Sequence, residues 1–155
     1  MSTAWSTEPL SGSGVPRALV RAVVDTNILV RGILRRREAA AVRVFDALVR
    51  GDFRPLISDY ILGEVRKTLC EPDVRALRRL EDNEIEAIVG ALRDVCELVP
   101  GDYQGPEKVP RDLKDRPIVA AGIEGGAHFL VTDDRRDLLP LKVILLAGYR
   151  PLQIV

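Results

Sequence analysis

The chain has 155 residues, of which 46% are hydrophobic and 30% charged, which is enough apolar content for one domain with a buried core and too mixed a composition for a disordered chain or a coiled coil. Twenty-three Lys plus Arg balance 23 Asp plus Glu, which excludes a basic nucleic-acid coat over the whole surface. A single histidine, His128, and two cysteines, Cys70 and Cys96, exclude a zinc finger, an HExxH protease or a Cys/His metal cage, so a catalytic metal has to be held by carboxylates.

Residues 1–17 hold Ser, Gly, Pro and the one tryptophan, Trp5, without the basic start and apolar run of a signal peptide, and read as a disordered leader. Residues 18–155 are expected to form one domain. Ala18 to Val24 is a short apolar run rich in β-branched residues that ends abruptly at Asp25, the pattern of a buried central strand. From Glu38 to Arg50, Val42, Phe45 and Val49 recur at helical spacing, with Ala41 and Leu48 widening the stripe, and Gly51 closes the helix. A second strand is expected at Pro55–Ile57. Ser58 and Asp59 then offer N-cap oxygens to a helix with Ile61, Leu62, Val65 and Leu69 on one face, which stops before Pro72.

Ile85, Ile88, Val89 and Leu92 give the cleanest helical period of the chain, and Asn83 with Glu86 resembles a capping box. Cys96–Val99 reads as a strand and residues 100–110 as a Gly/Pro-rich loop. Asp115 opens a helix whose first turn accepts Pro117 and which ends at Gly125-Gly126; a strand at Phe129–Val131 follows, running into Thr132-Asp133-Asp134. Strands alternating with helices predict an α/β fold with a mostly parallel sheet. Both cysteines read as buried small hydrophobes; reduced thiols place the protein in the cytoplasm, and no apolar window reaches the about 18 residues of a membrane span.

The acids fall where such a sheet binds ligands. Asp25 ends the first strand, Asp134 lies just past the strand ending at Val131, and Asp115 begins the helix leading into that strand; carboxyl ends of strands and amino ends of the following helices share one edge. Glu64 lies in the helix after the second strand, near the same edge. Clustered carboxylates raise one another's pKa and need a compensating cation, and an all-oxygen donor set suits Mg²⁺ or Mn²⁺. Each acid also has a plain role: Asp25 and Asp115 as helix caps, Glu64 as a solvated helix residue, and Asp133, Asp134 and Asp137 as a polar turn.

Taken together, the segments 24–30 (Val-Asp-Thr-Asn-Ile-Leu-Val), 58–64 with its glutamate, 111–119 (Arg-Asp-Leu-Lys-Asp-Arg-Pro-Ile-Val) and 130–138 (Leu-Val-Thr-Asp-Asp-Arg-Arg-Asp-Leu) resemble the PIN-domain family, most of all the toxin branch of type II toxin–antitoxin modules. The resemblance runs from about Leu19 to the end of the chain. It implies a three-layer α/β/α fold and a divalent-metal-dependent ribonuclease with a metal site of Asp25, Glu64, Asp115 and Asp134, with Asn27 and Thr132 as supporting polar contacts and Asp133 and Asp137 as possible further ligands. It also implies a cognate antitoxin protein and a homodimer. Two departures stand out: Asp133 occupies the place of the glycine in T-G-D, and Leu113 replaces the proline of Asp-Pro-x-Asp while keeping the spacing.

Cations bracket these acids. Arg31, Arg35, Arg36 and Arg37 follow Asp25, and Arg111, Lys114, Arg116, Arg135 and Arg136 flank the other motif acids. Of these, Arg31, Arg35, Arg116 and Arg135 are candidates to grip RNA phosphates, or alternatively to meet an acidic antitoxin segment. Arg78 and Arg79 read as surface residues. The competing reading is a non-catalytic PIN domain that binds RNA or protein, against which the full acid set argues. A haloacid-dehalogenase phosphatase needs a second acid where Asn27 stands, and a receiver domain needs an acidic pair ahead of Asp25; neither is present.

Overall fold

Six strands, each only two to four residues long, are arranged in the order β3-β2-β1-β4-β6-β5 in a computed structural model that describes residues 19–35, 39–101 and 113–155. The leader, Arg36, Arg37, the loop from residue 102 onward and Arg111 lie outside the described residues. In chain order the elements are β1 (Arg21–Val24), α1 (Thr26–Leu34), α2 (Ala39–Arg50), β2 (Arg54–Ile57), α3 (Asp59–Cys70), α4 (Pro72–Ala76), α5 (Asp82–Val95), β3 (Glu97–Leu98), α6 (Arg116–Glu124), β4 (Phe129–Val131), a 3₁₀ turn (Leu139–Leu141), β5 (Val143–Ile144) and β6 (Leu152–Ile154). All neighbouring strands pair parallel except β5 with β6. Helices flank the sheet, giving the expected three-layer α/β/α arrangement. Among the described residues, no helix is long and apolar enough to cross a membrane.

The core follows from the apolar runs. Val23, Leu130, Leu56 and Ile57 are buried in the middle strands, and Ile61, Leu62, Val65 and Leu69 of α3 and Ile85, Val89 and Leu92 of α5 pack against them. Such burial of a Val, Leu or Ile side chain contributes roughly 1.5–3 kcal/mol each. The buried stripe of α2 differs from the predicted one: Ala41 and Leu48 are buried, Phe45 is half-buried and Val49 is exposed. Phe45 and Ala41 meet α1 at a close crossing, where a Cβ on Gly32 would lie 2.4 Å from Phe45 Cβ and 3.1 Å from the Ala41 carbonyl oxygen.

Three further expectations shift. The capping box of α5 is Glu81 with Glu84, not Asn83 with Glu86; Glu86 is instead bound to Arg66 of α3 at 2.9 and 3.1 Å. Cys96 is buried as expected, but Cys70, the last residue of α3, is exposed. Arg78 does more than decorate the surface: its guanidinium donates to the carbonyls of Leu34 (2.7 Å) and Arg35 (3.2 Å). It thereby satisfies the carboxyl end of α1, where Arg35 adopts a left-handed conformation. Ser58 caps α3 as predicted, accepting from the Ile61 amide.

Candidate metal centre

The register of the two central strands builds the site. Val24 of β1 is paired with Val131 of β4, so the next residues, Asp25 and Thr132, emerge side by side at the carboxyl edge. The Asp25 amide continues the ladder by donating to the Val131 carbonyl (2.8 Å), and Thr132 Oγ1 donates to Asp25 Oδ2 (2.7 Å). The same hydroxyl accepts the amide of Asp134 (3.0 Å). One threonine oxygen therefore links the first and the last motif acids.

Asp134 is fixed again from its other side. Its Oδ1 accepts the amides of Arg136 (2.9 Å) and Asp137 (3.0 Å), the turn-forming habit of aspartate, and this tight turn brings Asp137 back toward it. Asp115 stands at the amino end of α6 but does not cap it: its backbone is already helical and its carboxylate makes no capping bond. Asp115, Asp134 and Asp137, all half-buried, each offer one carboxylate oxygen, and these oxygens lie within 4.8 Å of one another. Three partly desolvated carboxylates so close repel unless a cation sits among them, and hard oxygen donors with no sulfur or imidazole fit a small divalent ion.

Asp115 and Asp134 thus fall where the sequence motif places them, and the third member of the group is Asp137. Asp25 and Glu64 are not part of this mutual set. Asp25 is 4% exposed, and burial pushes its carboxyl above the usual carboxylate range; the Thr132 and Thr26 hydrogen bonds oppose the shift, the nearby Asp134 charge adds to it and Arg31 opposes it. Glu64 is half-buried on α3. Asn27 is exposed on the first turn of α1, and Thr26 Oγ1 beside it is buried without a hydrogen-bond partner among the described residues.

Asp133, in the glycine position of the motif, forms an ion pair with Arg31 on the last turn of α1. Two of the four predicted phosphate-binding arginines are therefore already engaged: Arg31 with Asp133, and Arg35 with Asp46 of α2 at 2.8 and 3.3 Å. Packing of α1 against α2 sets Arg35 opposite Asp46, and the turn after β4 carries Asp133 to Arg31. Arg116 is half-buried in the first turn of α6, and Arg135 is exposed, with no ion pair to any described residue.

A different groove, not singled out by the sequence motifs, lies on the same edge. It has a volume of about 570 Å³ and runs between the start of α3, the chain leaving β3 and the first turn of α6, with Tyr60 and Pro117 among its walls.

The family profile described as PIN domain matches residues 21–136. No curated protein sequence matches the chain. Among solved structures, a chain of the crystal structure of VapBC2 from Rickettsia felis bound to a DNA fragment from their promoter is similar to this one, with a TM-score of 0.50 and 12% identity over 88% of this chain and 99% of that chain. At that identity the likeness concerns the fold, a mostly parallel sheet between helices. The profile covers well over half of the sequence, from the first residue of β1 to the turn beyond Asp134, and the chain belongs to the PIN domain family.

Proposed function

We propose that the protein is a Mg²⁺- or Mn²⁺-dependent endoribonuclease that hydrolyses RNA phosphodiesters, and that it is the toxin of a type II toxin–antitoxin pair acting in the cytoplasm. The observation that carries this reading is the trio of Asp115, Asp134 and Asp137 gathered beside buried Asp25 at the carboxyl edge of a parallel sheet. Asp115, Asp134 and Asp137 hold the ion, Asp25 sets its back wall through Thr132, and Glu64 and Asn27 border the site. When bound, the ion supplies an activated water and stabilises charge on the attacked phosphodiester. Arg116 and Arg135 contact the flanking phosphates. Arg31 pairs with Asp133 at the surface of the loop after β4, and Arg35 pairs with Asp46 of α2. Similarity to a chain from a VapBC2 complex supports a protein antitoxin as partner, and a homodimer is the assembly we expect.

Purified protein is expected to cleave RNA with Mg²⁺ or Mn²⁺ and to stop on addition of EDTA. Asp137→Asn should lower the rate by roughly tenfold or more, while Asp133→Asn, which breaks only a half-exposed ion pair, should stay within about twofold. RNA binding without cleavage, unchanged by EDTA and by Asp115→Asn, would make the protein a binding module instead. A small adjacent reading frame encoding a DNA-binding protein is expected for the toxin assignment, and its absence counts against it.

A further inference from the structure

Beside the acid cluster, Asp59, Tyr60, Leu98, Pro100, Gly101 and Pro117 line the groove of about 570 Å³. The groove and the acid cluster share a stretch of backbone. The Tyr60 hydroxyl donates to the carbonyl of Lys114 at 3.3 Å, the next residue is Asp115 of the cluster, and Pro117 follows in the same turn. Two residues span at most about 7 Å, so whatever fills the groove lies within a nucleotide or two of a phosphate held at the acids.

The chemistry of the walls is specific. Tyr60 is 37% exposed and Leu98 46% exposed, an aromatic and an aliphatic surface left open next to two rigid prolines. The hydroxyl bond to Lys114 anchors the Tyr60 ring, so stacking on it orders little further side-chain freedom. Gly101, with φ +68°, brings the chain after β3 onto the start of α3; a Cβ there would lie 3.1 Å from Ser58 Cβ, so the floor of the groove is backbone. Among the described residues the carboxylate on the wall is Asp59, and it is paired with Arg93 at 2.5 Å, which lessens the repulsion that a lone acid would offer to a polyanion.

We propose that this groove is a nucleobase subsite, in which one unpaired base of the RNA strand, next to the scissile phosphate, stacks on Tyr60. The proposal rests on the ribonuclease reading above and deepens it: a base held in a duplex cannot enter the groove, so the subsite takes an unpaired base. Tyr60 acts as a binding residue and takes no part in bond breaking.

The test uses the full chain with Mn²⁺ and a short labelled RNA that it cleaves. Tyr60→Ala is expected to raise KM roughly 5- to 100-fold with kcat nearly unchanged, the span that base–aromatic stacking commands, while Tyr60→Trp keeps KM close to wild type. An abasic nucleotide moved along the RNA should raise KM at one position flanking the cleaved bond, and that rise should vanish in Tyr60→Ala, since the two changes remove the same contact. Abasic scanning that shifts nothing, or a Tyr60→Ala variant that loses kcat and thermal stability with KM intact, overturns the proposal. So does an effect confined to binding of a protein partner. If the wild type cleaves no RNA, the ribonuclease reading falls separately, and fluorescence anisotropy of the same intact and abasic oligonucleotides on wild type and Tyr60→Ala still decides on the groove.

Discussion

Replacing Thr132 by valine removes one hydroxyl while keeping the branched shape of the side chain, so it isolates the hydrogen bonds that hold the acidic edge together. In the native protein that hydroxyl donates to Asp25 Oδ2 and accepts the Asp134 amide. Loss of a donor to a buried carboxylate costs about 1.5–3 kcal/mol, and the abandoned amide about 0.5–1.5 kcal/mol more. The expected loss is about 2–4.5 kcal/mol at neutral pH, or roughly 4–18 °C in Tm for a chain of this length. The pH dependence gives the sharper check. Burial holds the Asp25 carboxyl above its ordinary value, and Thr132 is the largest influence opposing that shift, so the variant pushes the carboxyl higher still. A carboxyl whose folded pKa exceeds its unfolded one binds more protons in the folded state, and its contribution to stability falls as pH rises from about 4 through the folded value. The deficit of Thr132→Val should therefore be smallest at the acid end of the range from about pH 4 to pH 8 and grow as pH rises through the folded value of the Asp25 carboxyl. Urea unfolding of both proteins in EDTA, followed by far-ultraviolet circular dichroism across that range, measures it. A deficit that does not change with pH, or one below about 0.5 kcal/mol at pH 7, refutes the role assigned to the hydroxyl.

At the opposite end of the sheet, Arg21 of β1 grips Glu97 of β3 through two bonds of 2.8 and 3.1 Å, and this pairing holds the Glu97 carboxyl below the usual range. A depressed folded pKa stabilises above about pH 4.5 and is lost on acidification. Glu97→Gln should cost about 0.5–1 kcal/mol at pH 7, after allowance for solvent screening of this partly exposed pair, and less as the pH falls below the ordinary carboxylate range; an equal cost at pH 7 and pH 3 refutes the linkage. Gly32→Ala should destabilise by about 1–3 kcal/mol although alanine is the better helix former, because the new Cβ meets Phe45 Cβ at 2.4 Å and the Ala41 carbonyl at 3.1 Å; an unchanged urea midpoint would show that α1 and α2 separate freely. With a thiol-specific chromogenic reagent, Cys70 should react at once and Cys96, whose thiol burial pushes up to about 12, only on unfolding; two fast thiols would refute the burial of Cys96.

Which parts of this molecule are readable from its sequence depends on how local their causes are. Val89 and Leu92 declare α5 because helical spacing is a property of neighbours, whereas the start of that helix is ambiguous: both Glu81/Glu84 and Asn83/Glu86 satisfy the spacing rule, and only the long-range claim of Arg66 on Glu86 separates them. Strands β5 and β6 escape notice for a related reason. Leu152 and Ile154 flank a single exposed residue, too short a run for alternation to stand out, and they form a strand because β4 offers them a paired edge through Phe129 and Leu130.

The candidate site divides along the same line. Asp25 and Asp134 can be picked out because they follow short apolar strands, and Asp115 because it opens a helix at the same edge. What each cation does there cannot be read locally: Arg31 lies among other arginines in sequence, yet its partner, Asp133, comes from the far end of the chain. Charge neutrality over the whole chain conceals this arrangement. Some opposite charges around the site, such as Arg31 with Asp133 and Asp59 with Arg93, form pairs, while Asp115, Asp134 and Asp137 gather their oxygens within 4.8 Å of one another, a grouping that total charge does not reveal. Tyr60 escapes for the opposite reason. In sequence it is one residue in the first turn of a helix, and only the return of the chain after β3 and the placement of Lys114 and Pro117 turn it into the wall of a groove.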